Sequence, residues 1–313
     1  MRPKIVCIGE CMVEFSPQSS AGVYHRSFAG DTFNTAWYLR QLVPESSSIS
    51  YFTALGDDIC SKELLIYMEQ IGIGCSFIEV KPNRSMGLYM VHLNGGERSF
   101  SYWRNESAAR GLADDFVILD TLISESEVVY FSGITVAILT DLARLNLFGA
   151  LERAKASGQT IVFDPNLRPR LWSSIASMLV ETTKFAELAD IVLPSFEDEA
   201  AHYKDHDSES TIRRYSGYGA DVVVVKNSVD EIVAASGETK VRVQPEVVLP
   251  ATDTTAAGDS FNAGFLASWL AGKPLIDAVC NGARVSKKVI SGRGALVPLF
   301  PNANAKTDCD KIR

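Results

Sequence analysis

Six short, almost unbroken apolar runs punctuate this chain, at residues 5–8, 51–54, 128–131, 160–163, 191–193 and 222–225, with longer segments of helical periodicity between them. A strand that is apolar on both sides has no face for solvent. Such runs therefore belong in a sheet covered on both faces, and parallel strands joined by helices are the arrangement that covers them. Helices are expected at 32–42, 61–71, 140–155, 173–185, 208–218 and 275–291, with another starting near Thr254. The alternation predicts an α/β chain, a doubly wound three-layer sandwich with a mostly parallel central sheet, whose ligands bind beyond the carboxyl ends of the strands. Two stretches, 12–27 and 86–104, break the rhythm with alternating, partly exposed β patterning, and form either a small separate sheet or surface hairpins. At 313 residues and 46% hydrophobic, the chain can bury one large core, and no linker, repeat or low-complexity segment divides residues 1–313. The tail after Pro301 reads as polar and loose.

Charge and cysteine usage exclude several function classes. A net charge of −8 argues against a nucleic-acid partner, because affinity for a phosphate backbone is mostly Lys/Arg electrostatics. It leaves room for a small anionic substrate, which needs only one or two local arginines. No apolar run approaches the ~18 residues of a membrane span. The opening Met1-Arg2-Pro3-Lys4 leads straight into the first strand, too soon for a secretion signal, so a cytoplasmic protein without a membrane partner is expected. The six cysteines (Cys7, Cys11, Cys60, Cys75, Cys280, Cys309) are dispersed, without a Cys-x-x-Cys pair or a histidine at ligand spacing, and are expected to be reduced thiols. There is no Gly-x-x-x-x-Gly-Lys-Ser/Thr, and neither Gly72-x-Gly74 nor Gly292-x-Gly294 extends into a dinucleotide fingerprint.

The chemistry concentrates in Asp253-Thr254-Thr255-Ala256-Ala257-Gly258-Asp259-Ser260-Phe261. Pro250 closes the preceding segment, and Ala257, Phe261, Phe265 and Trp269 are spaced to share one helical face, so this run is a helix N-terminus. The backbone N–H groups of Ala256, Ala257 and Gly258 would point outward with the positive end of the helix dipole, and residues this small let a phosphate come close. Asp259, acceptor-only at neutral pH, is placed to take a proton from an alcohol attacking that phosphate. Ordinary capping of a helix by Asp and Thr is the other reading of the same residues.

The nine-residue run resembles the C-terminal signature of the ribokinase-like (PfkB) carbohydrate kinases, usually Asp-Thr-Thr-Gly-Ala-Gly-Asp-Ser-Phe, with Ala256 in place of a glycine. The family's N-terminal Gly-rich segment has a counterpart in Ala29-Gly30-Asp31-Thr32-Phe33-Asn34-Thr35-Ala36, in family order and at family distance. The resemblance implies the ribokinase-like sandwich, with 12–27 and 86–104 as a β lid that covers the sugar and in relatives pairs subunits, so a homo-oligomer, with a dimer favoured, is implied. It also implies ATP as co-substrate, with Mg²⁺ and in some relatives a monovalent cation such as K⁺.

Substrate class turns on the groups that would face the sugar. Gly30, Asp31 and Asn34 can bond vicinal hydroxyls or simply cap a helix. Tyr89, Tyr102, Arg104 and Arg168 point further, since an Arg fork pairs a carboxylate that a neutral polyol does not carry. Within the family this pattern is similar to the 2-keto-3-deoxygluconate kinase subgroup, through Ile8-Gly9-Glu10-Cys11-Met12, Tyr102-Trp103-Arg104, Asp164-Pro165-Asn166-Leu167-Arg168 and Thr254-Thr255-Ala256-Ala257-Gly258-Asp259. By that resemblance Tyr89, Tyr102, Arg104 and Arg168 hold the acid sugar, and Arg168 also reaches the transferred phosphate. Nucleotide contacts are implied for Asn166, Ser195, Lys226, Gly258 and Asn281. Ser195-Phe196-Glu197-Asp198-Glu199 stands where the family has Asn-x-x-Glu, with Ser195 for Asn and Asp198 for Glu. The resemblance thus implies an acid at the waters of Mg²⁺ and leaves open whether it is Asp198 or a neighbour, and Asp253 stands beside the monovalent-cation position. The reaction implied is ATP-dependent phosphorylation of a primary hydroxyl, with Asp259 as base and the Ala256, Ala257 and Gly258 amides, with Arg168, on the phosphoryl group. A fructokinase- or ribokinase-like enzyme for a neutral sugar, and a non-catalytic sugar or nucleotide sensor on the same fold, are the competing readings.

Overall fold

The computed structural model describes residues 4–18, 20, 22–94, 97–248 and 251–300; the opening residues 1–3, Pro250, the side chains of 93–98 and the tail from Pro301 with Cys309 lie outside that description. The chain begins with β1 (Lys4–Ile8), the hairpin β2 (Met12–Pro17) and β3 (Tyr24–Ala29), α1 (Asp31–Leu42), β4 (Ser48–Phe52), β5 (Ala54–Gly56), α2 (Ile59–Gln70) and β6 (Glu79–Lys81). A second hairpin, β7 (Leu88–Asn94) and β8 (Glu97–Trp103), precedes α3 (Phe116–Ser124), β9 (Val128–Ser132), α4 (Gly133–Ile138), α5 (Asp141–Ala156), β10 (Thr160–Asp164), α6 (Ile175–Ala186) and β11 (Ile191–Val192). Then come α7 (Phe196–His202), α8 (Ser208–Gly217), β12 (Val222–Val225), β13 (Ile232–Ser236), β14 (Thr239–Val243), α9 (Ala257–Trp269) and α10 (Leu275–Ile290).

The main sheet runs β14-β13-β12-β11-β10-β9-β1-β4, parallel from β12 to β4, with β13 and β14 as an antiparallel edge. Alternate strand residues enter opposite layers. Cys7, Tyr51, Tyr130 and Val224 pack with Phe33, Leu64, Phe265 and Val285 of α1, α2, α9 and α10. Val6, Phe131, Phe163 and Val223 pack on the other face with Leu119, Leu147, Phe185 and Ile212 of α3, α5, α6 and α8. Burial on both faces is why these strands read as unbroken apolar runs.

The two segments that broke the rhythm join in one four-stranded sheet, β3-β2-β7-β8, in which β2 and β7 run parallel and the outer pairs antiparallel. Three features of the main body differ from expectation. The strand expected at 51–54 is Ser48–Phe52, an edge strand whose exposed Ser48 and half-buried Ser50 give it alternation rather than an apolar run. The β13–β14 hairpin was not anticipated, because β14 leaves Thr239, Lys240 and Arg242 exposed. α3, α4 and α7 are too short to impose a periodicity. Among the described residues Cys7, Cys11, Cys60, Cys75 and Cys280 are free thiols, and no helix is long and apolar enough to cross a membrane.

Candidate active site

The carboxyl ends of the parallel strands deliver the site. α9 begins at Ala257, and the residue before it, Ala256, has φ 58° and ψ 19°, a left-handed conformation that costs a residue with a Cβ about 1 kcal/mol. The substitution noted in the sequence thus falls where the backbone favours glycine. Ser260 N–H is the first amide to donate within the helix, to Ala256 O at 2.9 Å. Helix geometry therefore leaves the Ala256, Gly258 and Asp259 amides without an intrahelical acceptor. Ala257, expected to be part of the cradle, instead donates to Thr254 O at 3.2 Å, closing the loop with a turn.

Asp259 lies in the first turn of α9. Its Oδ2 accepts from Asn34 Nδ2 at 2.8 Å, which ties the anion loop to α1. Burial and the neighbouring carboxylates of Asp31 and Asp164 push its pKa up to about 8, against the opposing pull of Asn34 and Lys226. Asp31 is raised too, by burial and by Asp164, while Ser132, the Thr32 backbone and Asn166 hold its charged form. Asp164, the last residue of β10, accepts from Asn262 Nδ2 at 2.6 Å and from Lys226 Nζ at 3.0 Å. Lys226 also donates to Asn262 Oδ1 at 3.0 Å, and a Cβ on Gly258 would lie 3.6 Å from its Nζ. The floor of the site is thus three neighbouring carboxylates, Asp31, Asp164 and Asp259, with one ammonium paired to Asp164, wired by Asn34, Asn166 and Asn262. Asn166, with φ 36°, closes a turn through its N–H on Asp164 Oδ1 and sends Nδ2 to Asp31 Oδ2 at 2.9 Å.

Gly30 precedes α1 with φ −177°, ordinary extended backbone, so its role is space: a Cβ there would sit 2.1 Å from the Glu10 carbonyl oxygen. Arg104 does not stand free, because its Nη2 donates to Glu10 Oε2 in a buried ion pair, and Glu10 Oε1 accepts from Ser107 Oγ at 2.5 Å. Tyr89 is likewise engaged, its hydroxyl donating to Glu14 Oε2, and burial beside that carboxylate holds its pKa far above the usual phenol value. Tyr102 is half exposed, with its ring 5.8 Å from that of Tyr89 and the Arg104 guanidinium 6.0 Å from its centroid.

On the opposite side, Arg168 is half exposed, with Nη1 on Leu167 O at 2.7 Å and 3.4 Å from Asp198 Oδ2. Ser195 caps α7 without a side-chain bond and pairs with Lys226 through a parallel bridge, which brings the start of α7 to the floor. Burial raises the pKa of Asp198, as does Asp164, while Arg168 and Lys226 oppose the shift. Asn281 donates to Gly264 O at 2.7 Å across the contact between α9 and α10, so its amide serves helix packing. Asp253 is a backbone clasp, accepting from Thr255 N–H at 2.9 Å and Gly294 N–H at 2.7 Å. Among the described residues no group of three or more His, Cys, Asp or Glu side chains could cage a metal ion. A single carboxylate such as Asp198 suits a Mg²⁺ that is held by nucleotide phosphates and keeps most of its waters, the usual preference of that ion.

The site also includes residues to which the sequence assigns no role: Asn262 and Tyr130, and Glu10 and Asp164, which stand only within the motifs quoted above. Asp164 and Glu10 lie at or just beyond the ends of parallel strands, a position that itself marks a ligand crevice. Asn262 donates to Tyr130 OH at 3.0 Å, a contact 132 residues apart that leaves no local signal.

Residues 2–302 match the pfkB family of carbohydrate kinases. The chain is 38% identical to 2-dehydro-3-deoxygluconokinase of Escherichia coli (strain K12), covering 95% of this chain and 98% of that one. It is 37% identical to the enzyme of the same name from Dickeya dadantii, over 94% and 97%. The fold is shared with a fructokinase from Xylella fastidiosa solved with bound ATP, at TM-score 0.81 and 22% identity, over 94% of each chain.

Proposed function

Because the chain belongs to the pfkB family of carbohydrate kinases, we propose that it transfers the terminal phosphoryl group of ATP to the terminal hydroxyl of 2-keto-3-deoxygluconate. The products are 2-keto-3-deoxy-6-phosphogluconate and ADP. The observation that carries the chemistry is Asp259, a carboxylate held by Asn34 beside the free amides of a helix N-terminus. The sugar is assigned from the relatives just described, whose name uses 2-dehydro-3-deoxygluconate, another name for the same keto acid.

Asp259 takes the hydroxyl proton, and its raised pKa makes it a stronger base than an ordinary carboxylate. The amides of Ala256 and Gly258 face the phosphoryl oxygens, joined by Ala257 once its turn to Thr254 opens. Gly30, Asp31 and Asn34 bind sugar hydroxyls, and Arg104, Tyr89 and Tyr102 hold the acid end with Arg168, which also swings from Asp198 toward the phosphate. Asn166, Ser195, Lys226, Gly258 and Asn281 border the nucleotide. Mg²⁺, when bound with the nucleotide, neutralises phosphate charge, and Asp198 orders its waters. A K⁺ ion at Asp253 and a subunit contact through the β3-β2-β7-β8 sheet, which acts as the lid of a single kinase domain spanning 1–313, complete the reading.

One observation favours a neutral ketose instead: the charge of Arg104 is already balanced by Glu10. Coupled ADP release with Mg·ATP decides between them, using 2-keto-3-deoxygluconate, its galactonate epimer, gluconate, fructose, ribose and adenosine. Turnover confined to the keto-deoxy acids is expected. Preference for fructose or ribose would overturn the substrate and keep the kinase; no turnover with any of them would overturn both.

A further inference from the structure

Two buried carboxylates behind the sugar wall have no part in the chemistry above. Glu10 follows β1 and is 2% exposed, and Glu14 in β2 is 3% exposed. Both oxygens of Glu10 are used, one by Arg104 Nη2 and one by Ser107 Oγ. Glu14 sits between cross-strand neighbours, Tyr89 on β7 and Ser27 on β3; it accepts from the Tyr89 hydroxyl and, at 3.2 Å, from Ser27 Oγ. Burying an ion pair is rarely worth more than burying apolar groups of the same volume, so its net stabilisation does not explain it. The surroundings are nevertheless shaped around it. A Cβ on Gly87 would lie 2.6 Å from Glu10 Oε1 and 3.2 Å from Arg104 Cβ, so the approach to β7 has no side chain where the pair sits. The pair also spans two bodies: Arg104 follows β8 of the small sheet, whereas Glu10 follows β1 of the main one, with its carbonyl against Gly30 and the start of α1. Finally, Arg104 Nε is buried without a hydrogen-bond partner, although nine-tenths of the side chain is out of solvent.

We propose that Glu10 is a positioning residue for recognition of the acid sugar, fixing Arg104 so that Nε and its remaining N–H groups are kept for the substrate carboxylate, with Glu14 holding Tyr89 in the same way. This rests on the reading that the substrate is an acid sugar. One residue thereby sets the distance between the hydroxyl-binding start of α1 and the carboxylate-binding arginine. The sign of the effect is diagnostic. If charge alone mattered, removing the Glu10 carboxylate would free the guanidinium and tighten acid binding; if orientation matters, removing it loosens acid binding although positive charge is gained.

The test compares Glu10→Gln, Ser107→Ala, Arg104→Leu and the double variant Glu10→Gln/Arg104→Leu, measuring kcat, KM for 2-keto-3-deoxygluconate, KM for ATP and thermal unfolding. Glu10→Gln is expected to raise KM for the acid sugar roughly tenfold while leaving kcat and KM for ATP within about twofold, the pattern of lost substrate positioning. Ser107→Ala, the milder change and the one to rely on if Glu10→Gln fails to fold, should move the same KM about two- to threefold. In the Arg104→Leu background, Glu10→Gln should add nothing further, and that double variant carries no unpaired buried charge. A lower or unchanged KM in Glu10→Gln, or parallel losses in every parameter, would overturn the proposal. If Arg104→Leu raises KM and neither Glu10→Gln nor Ser107→Ala does, the acid-sugar reading stands and this inference fails; if Arg104→Leu has no effect on KM either, the acid-sugar reading fails first.

Discussion

The floor of the site and its sugar wall are both buried and charged, yet they balance charge in opposite ways. On the floor, three carboxylates stand near one another with a single ammonium paired to Asp164, and burial first, then the neighbouring Asp31 and Asp164, drive Asp259 toward its protonated form. On the wall, the one buried arginine has its own carboxylate, and the Tyr89 hydroxyl likewise has Glu14. On the function proposed above, the unbalanced floor suits the movement of a proton and the balanced wall suits the presentation of a fixed shape. A cation and a cluster of carboxylates thus do different work according to their ratio.

The sharpest way to break this contrast is to remove the base. Asp259→Asn is expected to lower kcat by roughly 10²–10⁴-fold while nucleotide binding, followed by titration, stays nearly unchanged. Unaltered turnover would mean that the floor's excess charge serves something other than proton transfer. Next in size is pH. The base must be ionised and its pKa in the free protein is pushed up to about 8, so kcat/KM should climb about tenfold per unit on the acid side and level off above that value. The same shift has a cost in stability. The folded protein holds this proton more tightly than the unfolded chain, so stability declines as pH rises from the ordinary carboxylate range to about 8. Asp259→Asn should then be the more stable protein at pH 8, with a Tm higher by about 2–4 °C.

Lys226→Met tests the floor from the other side. It leaves Asp164 buried without its ammonium and should reduce the unfolding free energy by about 3 kcal/mol in urea titrations. In the same variant the acid limb of the pH profile should move upward, since Lys226 opposes the rise in Asp259. The smallest effect is expected at Ala256→Gly. Relief of the left-handed strain should add about 1 kcal/mol or less to stability, and turnover should hold if the loop keeps its shape.

The loop that carries Asp259 was more legible in the sequence than the partners that hold either the floor or the wall, for a physical reason. Asp259 and the anion loop are contiguous, and small residues at a helix start announce their chemistry locally. The parallel strands announced themselves equally, because each is apolar on both faces. Tyr89 and Arg104 could be named from the chain, but not the carboxylates that hold them. Glu10 and Arg104 are 94 residues apart, and Glu14 meets Tyr89 only through the parallel pairing of two hairpins. Nor does a sequence reveal that the Ala257 amide turns inward or that Asn281 is occupied by a helix crossing. Such choices are made by packing.

The Asp253 clasp has a consequence in time. It fastens the loop before α9 to Gly294, and the segment beyond is fastened in turn to α1, where Tyr38 OH donates to Ala295 O at 2.7 Å and Gln41 accepts from Leu299 N–H at 3.0 Å. Asn34 and Asp31 belong to that same helix. A chain leaving the ribosome therefore exposes the helix that carries Asp31 and Asn34 very early and must keep it waiting for contacts more than 250 residues away. Closure over such distances is slow, and activity should appear abruptly, when the residues around Gly294 emerge, instead of building up as the sheet grows.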